Sequence, residues 1–136
     1  MSNNDKKEIL EAFNKHFCEF VEDVYRVFPT DSVISVLNKS VSVYMMVYKK
    51  SVIQIFKRDI VDRYLNEIEK GDLTFFIDKN YQEDVSNGDF KNNADFIMNK
   101  IDYIKTLVLK MSKDEQENIM KYFQNLTTIC NLYYEE

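Results

Sequence analysis

Covalent catalysis by a side chain needs a nucleophile, a base that activates it and a group that orients the base. The chain contains one histidine, His16, and two cysteines, Cys18 and Cys130. His16 and Cys18 are two residues apart, a spacing that turns side chains away from each other on a helix. Cys130 lies near the opposite end of the chain, so a dyad with His16 would depend wholly on the fold. Both cysteines sit within apolar helical patterns, where a free thiol behaves as a small hydrophobe. A single histidine also excludes a di-iron centre built from two Glu-x-x-His pairs. No zinc-binding pattern, EF-hand loop, P-loop or dinucleotide fingerprint is present, and no cofactor is expected.

Carboxylates offer a second chemistry. Glu8 and Glu11, Glu19 and Glu22, and Asp59 and Asp62 each stand at i,i+3, on one face of a helix, and Glu69 and Asp72 repeat the spacing. Such pairs on adjacent helices resemble the Mg²⁺ sites of all-α nucleotide pyrophosphohydrolases. A Mg²⁺-dependent nucleotide hydrolase is therefore a third-ranked alternative. Against it, Glu69-x-x-Asp72 straddles Gly71, a helix end, and lies much farther from Glu8 and Glu11 than that family's pattern allows. With 23 acidic residues in the chain, such pairs arise by chance, and a solvated face is the ordinary expectation.

The third candidate is electrostatic. The net charge of −5 argues against general attraction to nucleic acid or anionic lipid. Residues 39–63 depart from it, with six basic and two acidic residues. Lys39, Lys49, Lys50, Lys57, Arg58 and Arg63 are interleaved there with Tyr44, Tyr48, Phe56 and Tyr64, as in surfaces that track phosphates and stack bases. The aromatics also fall at core spacing, and Asp59 and Asp62 can pair with neighbouring cations. Nucleic-acid contact through Lys49, Lys50, Lys57, Arg58 and Arg63 is the second-ranked alternative, beside ordinary helix surface and the recognition of an acidic protein patch.

The elements that would position these groups are helices. Two glycines and one proline in 136 residues leave little chemistry for hairpins or Gly-rich loops. Leu10, Phe13, Phe17, Phe20, Val24 and Val27 repeat at three- and four-residue steps, predicting a helix over about 5–28. Asp5 and Glu8 have capping-box spacing, and Pro29 closes the helix. Thr30 or Asp31 can cap a second helix carrying Val33, Ile34, Leu37, Val41, Tyr44, Met45 and Tyr48. A bend at Lys49-Lys50 favours two helices over one long helix for 31–70, a choice the periodicity does not decide, with the helical pattern ending at Gly71. Helical spacing resumes from Phe90 to Met111, and Ser112-Lys113-Asp114-Glu115 is a capping box for a last helix carrying Ile119, Phe123, Leu126, Ile129, Cys130 and Tyr133. The fold expected is all-α, a single domain over 1–136 with four to five helices and one irregular loop around 71–90. The longest uncharged apolar run, Ser40–Tyr48, is far too short to span a membrane.

That loop is the one segment of substance outside the helical pattern, and loops on a rigid scaffold often carry function. Phe75 and Phe76 are adjacent aromatics that cannot easily share one core, so either the loop folds back as a lid on the bundle or one ring is left for a partner. Tyr81, Phe90, Tyr103, Tyr133 and Tyr134 lie off the main stripes or near ends, positions from which tyrosines anchor partners.

Two stretches, FNKHFCEFVEDVYRVFPTDS and YLNEIEKGDLTFFIDKNYQEDV, resemble a family of short helical proteins encoded by large DNA viruses of algae and protists. The shared features are an FNKxFxEFxxDxxxxFP opening and an EIEKGDxxFFxxKxY element, covering Phe13–Pro29 and Glu67–Tyr81. The resemblance implies a helical fold and a viral origin and brings no catalytic residues. It adds Gly71, Asp72 and Lys79 to Phe75, Phe76 and Tyr81 as candidate contact residues. The leading expectation is a non-enzymatic interaction or structural protein with a protein partner or self-association. Its location would be intracellular, in host cytoplasm or in a virion as a minor component, assembly factor or host-modulating factor.

Overall fold

The computed structural model describes residues 3–73, 99 and 103–135. Every regular element among them is helical, as expected of an all-α chain. Helix α1 runs Asn3–Val27, α2 runs Ser32–Val47 and α3 runs Ser51–Phe56. A π-helical turn, Lys57–Val61, joins α3 to α4, Asp62–Glu69. Residues 103–108 are helical, and α5 spans Lys113–Tyr134. Helix α1 is the central element and packs most extensively on α5 and α2.

Local sequence explains most of the boundaries. Before Pro29, the Phe28 N–H bonds back to the carbonyls of Val24 and Tyr25 and the helix stops. Asp31 is the N-cap of α2, its carboxylate accepting from the Ile34 N–H at 2.9 Å. The second carboxylate oxygen accepts a short hydrogen bond from the Tyr103 hydroxyl. Those two bonds hold the Asp31 carboxyl below its ordinary range, the Tyr103 contact contributing most. The chain bends at 48–50 as the paired lysines suggested, and the Lys49 carbonyl is tied to α1 by the Asn14 amide at 3.0 Å. The Ser112 box is complete: the Ser112 hydroxyl accepts from Glu115 N–H at 3.2 Å, and the Glu115 carboxylate accepts from Ser112 N–H at 2.8 Å. One boundary differs from expectation. Helix α1 begins at Asn3, so Asp5 lies inside the first turn, where it complements the helix dipole, and is not a cap.

The core is a chain of aromatic rings on an aliphatic bed. Phe13 is fully buried, with its ring 5.5 Å from that of Phe56 and 6.4 Å from that of Phe17. Phe56 stacks in turn on Phe123 at 6.1 Å, and Phe123 meets Phe20 at 5.8 Å. Ile34, Leu37, Val41 and Met45 form the buried stripe of α2, while Ile119, Phe123, Leu126 and Cys130 form that of α5. The glycine that ends α4 has a conformational reason. Gly71 has φ of 73°, its N–H bonds to Ile68 O at 3.0 Å, and the Asp72 N–H bonds to Glu67 O at 2.8 Å. These are the paired bonds of a Schellman motif, and an added Cβ would meet no atom closer than 3.8 Å. The left-handed backbone, and not crowding, selects glycine there.

Candidate functional site

The Cys130 Sγ–H points at the Ile53 carbonyl oxygen at 3.8 Å, and burial pushes its ionisation up to about 12. Cys18 donates to the Met45 sulfur at 3.7 Å, and its ionisation is also raised, chiefly by burial and secondly by Glu19. A nucleophilic cysteine needs the opposite shift. His16 is occupied elsewhere, its Nδ1 3.0 Å from the Glu19 carboxylate and its ring 5.0 Å from that of Tyr122. Native protein at pH 8 is therefore expected to react with a disulfide reagent at least about tenfold more slowly at Cys130 than a free thiol does. Labelling followed by peptide mapping measures this, and rapid modification of Cys130 in folded protein would refute the inert assignment.

The carboxylate pairs do not share one fate. Glu8, Glu11, Glu19 and Glu22 are exposed along α1, and Glu22 and Asp23 both bind Arg26, at 2.8 and 3.0 Å. Among the described residues, no three of His, Cys, Asp and Glu converge as a metal-ligand set. Asp59 corrects the expectation of a solvated Asp59–Asp62 face. It is 1% exposed, whereas Asp62 remains in solvent. The cause is the π-helical turn, in which the Asp62 N–H reaches back five residues to Lys57 O. That wider turn breaks the i,i+3 alignment and carries Asp59, Ile60 and Val61 together into the interior.

The basic stretch is reorganised by the same turn. Arg58 grips the buried carboxylate of Asp59 through Nε and a terminal nitrogen, both at 3.2 Å. Lys57 pairs with Asp62 at 2.5 Å and lies 5.9 Å from the Tyr134 ring. The interleaved aromatics divide likewise, Phe56 and Tyr64 being buried and Tyr48 exposed. Tyr64 also departs from helical geometry, at φ −129° and ψ 22°, where α4 kinks. Lys39, Lys49 and Lys50 are exposed, and none of the three forms an ion pair among the described residues.

Of the candidate contact residues around the loop, Gly71 and Asp72 are described and both are exposed. Gly71 borders an open groove of about 440 Å³ shared with Leu73, Met120 and Gln124, and the Gln124 side-chain amide donates to Ile68 O at 3.0 Å. Phe75, Phe76, Lys79, Tyr81 and Phe90 lie outside the described residues. Tyr133 is not an exposed anchor: it is buried, with Lys6 4.7 Å from its ring centre. Tyr103 is half-buried on Asp31, and Tyr134 remains exposed.

The most distinctive surface was not singled out by periodicity. Val36, Val43, Met46 and Val47 on the outer face of α2 are 62, 58, 73 and 67% exposed, and Tyr48 beside them is 44% exposed. Helix α2 is thus apolar on two faces, one buried and one bare. A readable signal existed, since Lys39 is the sole charged residue of this helix. Grooves of about 270 Å³ and about 370 Å³ border the face, the first floored by Leu10, Met45 and Met46 between α1 and α2 and the second formed at the bend after α2. Lys49 stands at the rim of both. No helix among the described residues is long and apolar enough to cross a membrane. Comparison with known protein families, with curated proteins and with solved structures returns no match.

Proposed function

We propose that the protein is a non-enzymatic interaction factor whose contact surface centres on the outer face of α2. The observation that supports this reading is the concentration of exposed large apolar side chains on one short stretch: of the eight among the described residues, Val36, Val43, Met46, Val47 and Tyr48 lie on α2 and its C-terminal end, and Leu109, Leu132 and Tyr134 lie elsewhere. Exposed apolar groups grouped on one helix face cost free energy in water that a partner recovers on binding. The resemblance to viral proteins makes virion assembly or modulation of a host factor the setting in which that partner would be met. The nucleic-acid alternative draws less support, because Lys57 and Arg58 are engaged by Asp62 and Asp59.

A photo-crosslinking residue at position 43 tests the reading in producing cells, with the same residue at exposed Glu117 on α5 as control. A discrete adduct is expected from position 43 only. Val43→Asp should reduce co-purification of the adducted protein at least about tenfold while shifting stability by less than about 0.5 kcal/mol. Equal labelling from both positions would overturn the assignment of this face.

A further inference from the structure

The geometry points to an acidic amphipathic helix of a partner protein as the occupant of the α2 face. This inference rests on the interaction reading above and adds the chemistry of the partner. Between Asp31 and Asp59 the chain has no acidic residue, and α2 with its following bend carries Lys39, Lys49 and Lys50. The groove between α1 and α2 adds Lys7 and Lys15 to its rim against one carboxylate, Glu11. None of these five lysines is ion-paired among the described residues, in a chain whose net charge is −5.

The surface thus combines an apolar groove and ridge with a rim on which lysines outnumber carboxylates. An incoming helix with apolar residues at i, i+3, i+4 and i+7 would seat them against Leu10, Met45 and Met46. Flanking Asp and Glu residues would then fall beside the lysines. Methionine suits such a floor, because its flexible side chain adapts to different anchors. Charge complementarity also separates this occupant from the two other surfaces that could cover the face. A second copy docked on this face by two-fold symmetry would bring a second set of Lys39, Lys49 and Lys50 to the seam with no acidic residue of 32–58 to meet them, an arrangement that like-charge repulsion opposes. A flat anionic membrane would meet concave ground between α1 and α2, which a helix can enter and a bilayer surface cannot.

The test uses the full chain and a labelled 20-residue helical peptide with leucines in heptad spacing flanked by glutamates, read by fluorescence anisotropy. A twin peptide carrying lysine in place of glutamate is the comparison. The glutamate peptide should bind at least about tenfold more tightly at 50 mM salt, with the preference shrinking in 0.5 M salt. Lys39→Glu, Lys49→Glu and Lys50→Glu together should reverse the preference, and Met46→Asp should abolish binding with helicity unchanged. Because these four residues are exposed, none should be needed for folding. Equal affinity for both peptides, no binding to either, or binding insensitive to Met46→Asp would overturn the inference. So would binding of the protein to vesicles of phosphatidylserine and phosphatidylcholine without peptide binding, or a dimer in sedimentation that Val43→Asp dissolves. A position-43 adduct found alongside indifference to peptide charge would defeat this inference and leave the interaction reading standing, whereas no adduct and no peptide binding would defeat both.

Discussion

Phe56→Ala is expected to destabilise the protein by about 3–5 kcal/mol, enough to lower the thermal midpoint by about 10–20 °C. Phe56 is 2% exposed and its ring lies between those of Phe13 and Phe123, at 5.5 and 6.1 Å. It therefore connects α1 to α5 through α3, and its removal opens a cavity touching all three. The loss contains the transfer free energy of the ring and the dispersion contacts that neighbouring rings cannot re-form. Collapse around the gap is limited, because the Phe13 ring is also held by Phe17 and the Phe123 ring by Phe20. Phe56→Leu should cost less than about half as much, since most of the volume is retained. Denaturant unfolding followed by circular dichroism measures both variants. A loss below about 1 kcal/mol for Phe56→Ala would mean that the ring does not join the helices in this way.

How far such positions could be read in advance depends on the physics that set them. Leu10, Phe13, Phe17, Phe20 and Val24 are buried as the seam of α1 predicts, because one helix face must meet the core and its period is local. The Ser112 box and the glycine end of α4 were legible for the same reason: capping bonds join residues a few positions apart. The bend at Lys49-Lys50 was visible as an interruption of pattern. The π-helical turn was not, since Lys57–Val61 contains no residue that demands it. A wider turn forms when tertiary packing rewards moving one face, here the face bearing Asp59, Ile60 and Val61. Nor did periodicity disclose the α2 surface. A helix with valines and methionines on two sides fits more than one apolar stripe, and burial of Ile34, Leu37, Val41 and Met45 decided which became core. The remainder, Val36, Val43, Met46 and Val47, is the candidate site.

The second large effect concerns the charge that the π-helical turn carries inward. Arg58→Met is expected to cost about 2–3 kcal/mol, although Arg58 lies near the surface. Its substitution leaves the Asp59 carboxylate, 2% exposed at the side chain, without the guanidinium that holds both of its oxygens. A fully buried pair would lose about 3–5 kcal/mol on such a break, and the smaller value follows from the Arg58 side chain being 37% exposed. Asp59→Asn removes the charge but keeps a buried polar group, so it should cost about 1–2 kcal/mol. The Arg58→Met/Asp59→Asn double variant should then be less destabilised than the sum of the singles by about 1–2 kcal/mol, because neither change strands a charge once the other is made. Arg58 has interactions beyond this pair, and the double-mutant cycle removes their contribution from the coupling. Additive losses would show that the bidentate contact does not determine where the guanidinium resides. Strong coupling instead commits Arg58 to the fold and concentrates accessible positive charge at Lys39, Lys49 and Lys50, beside the bare face of α2.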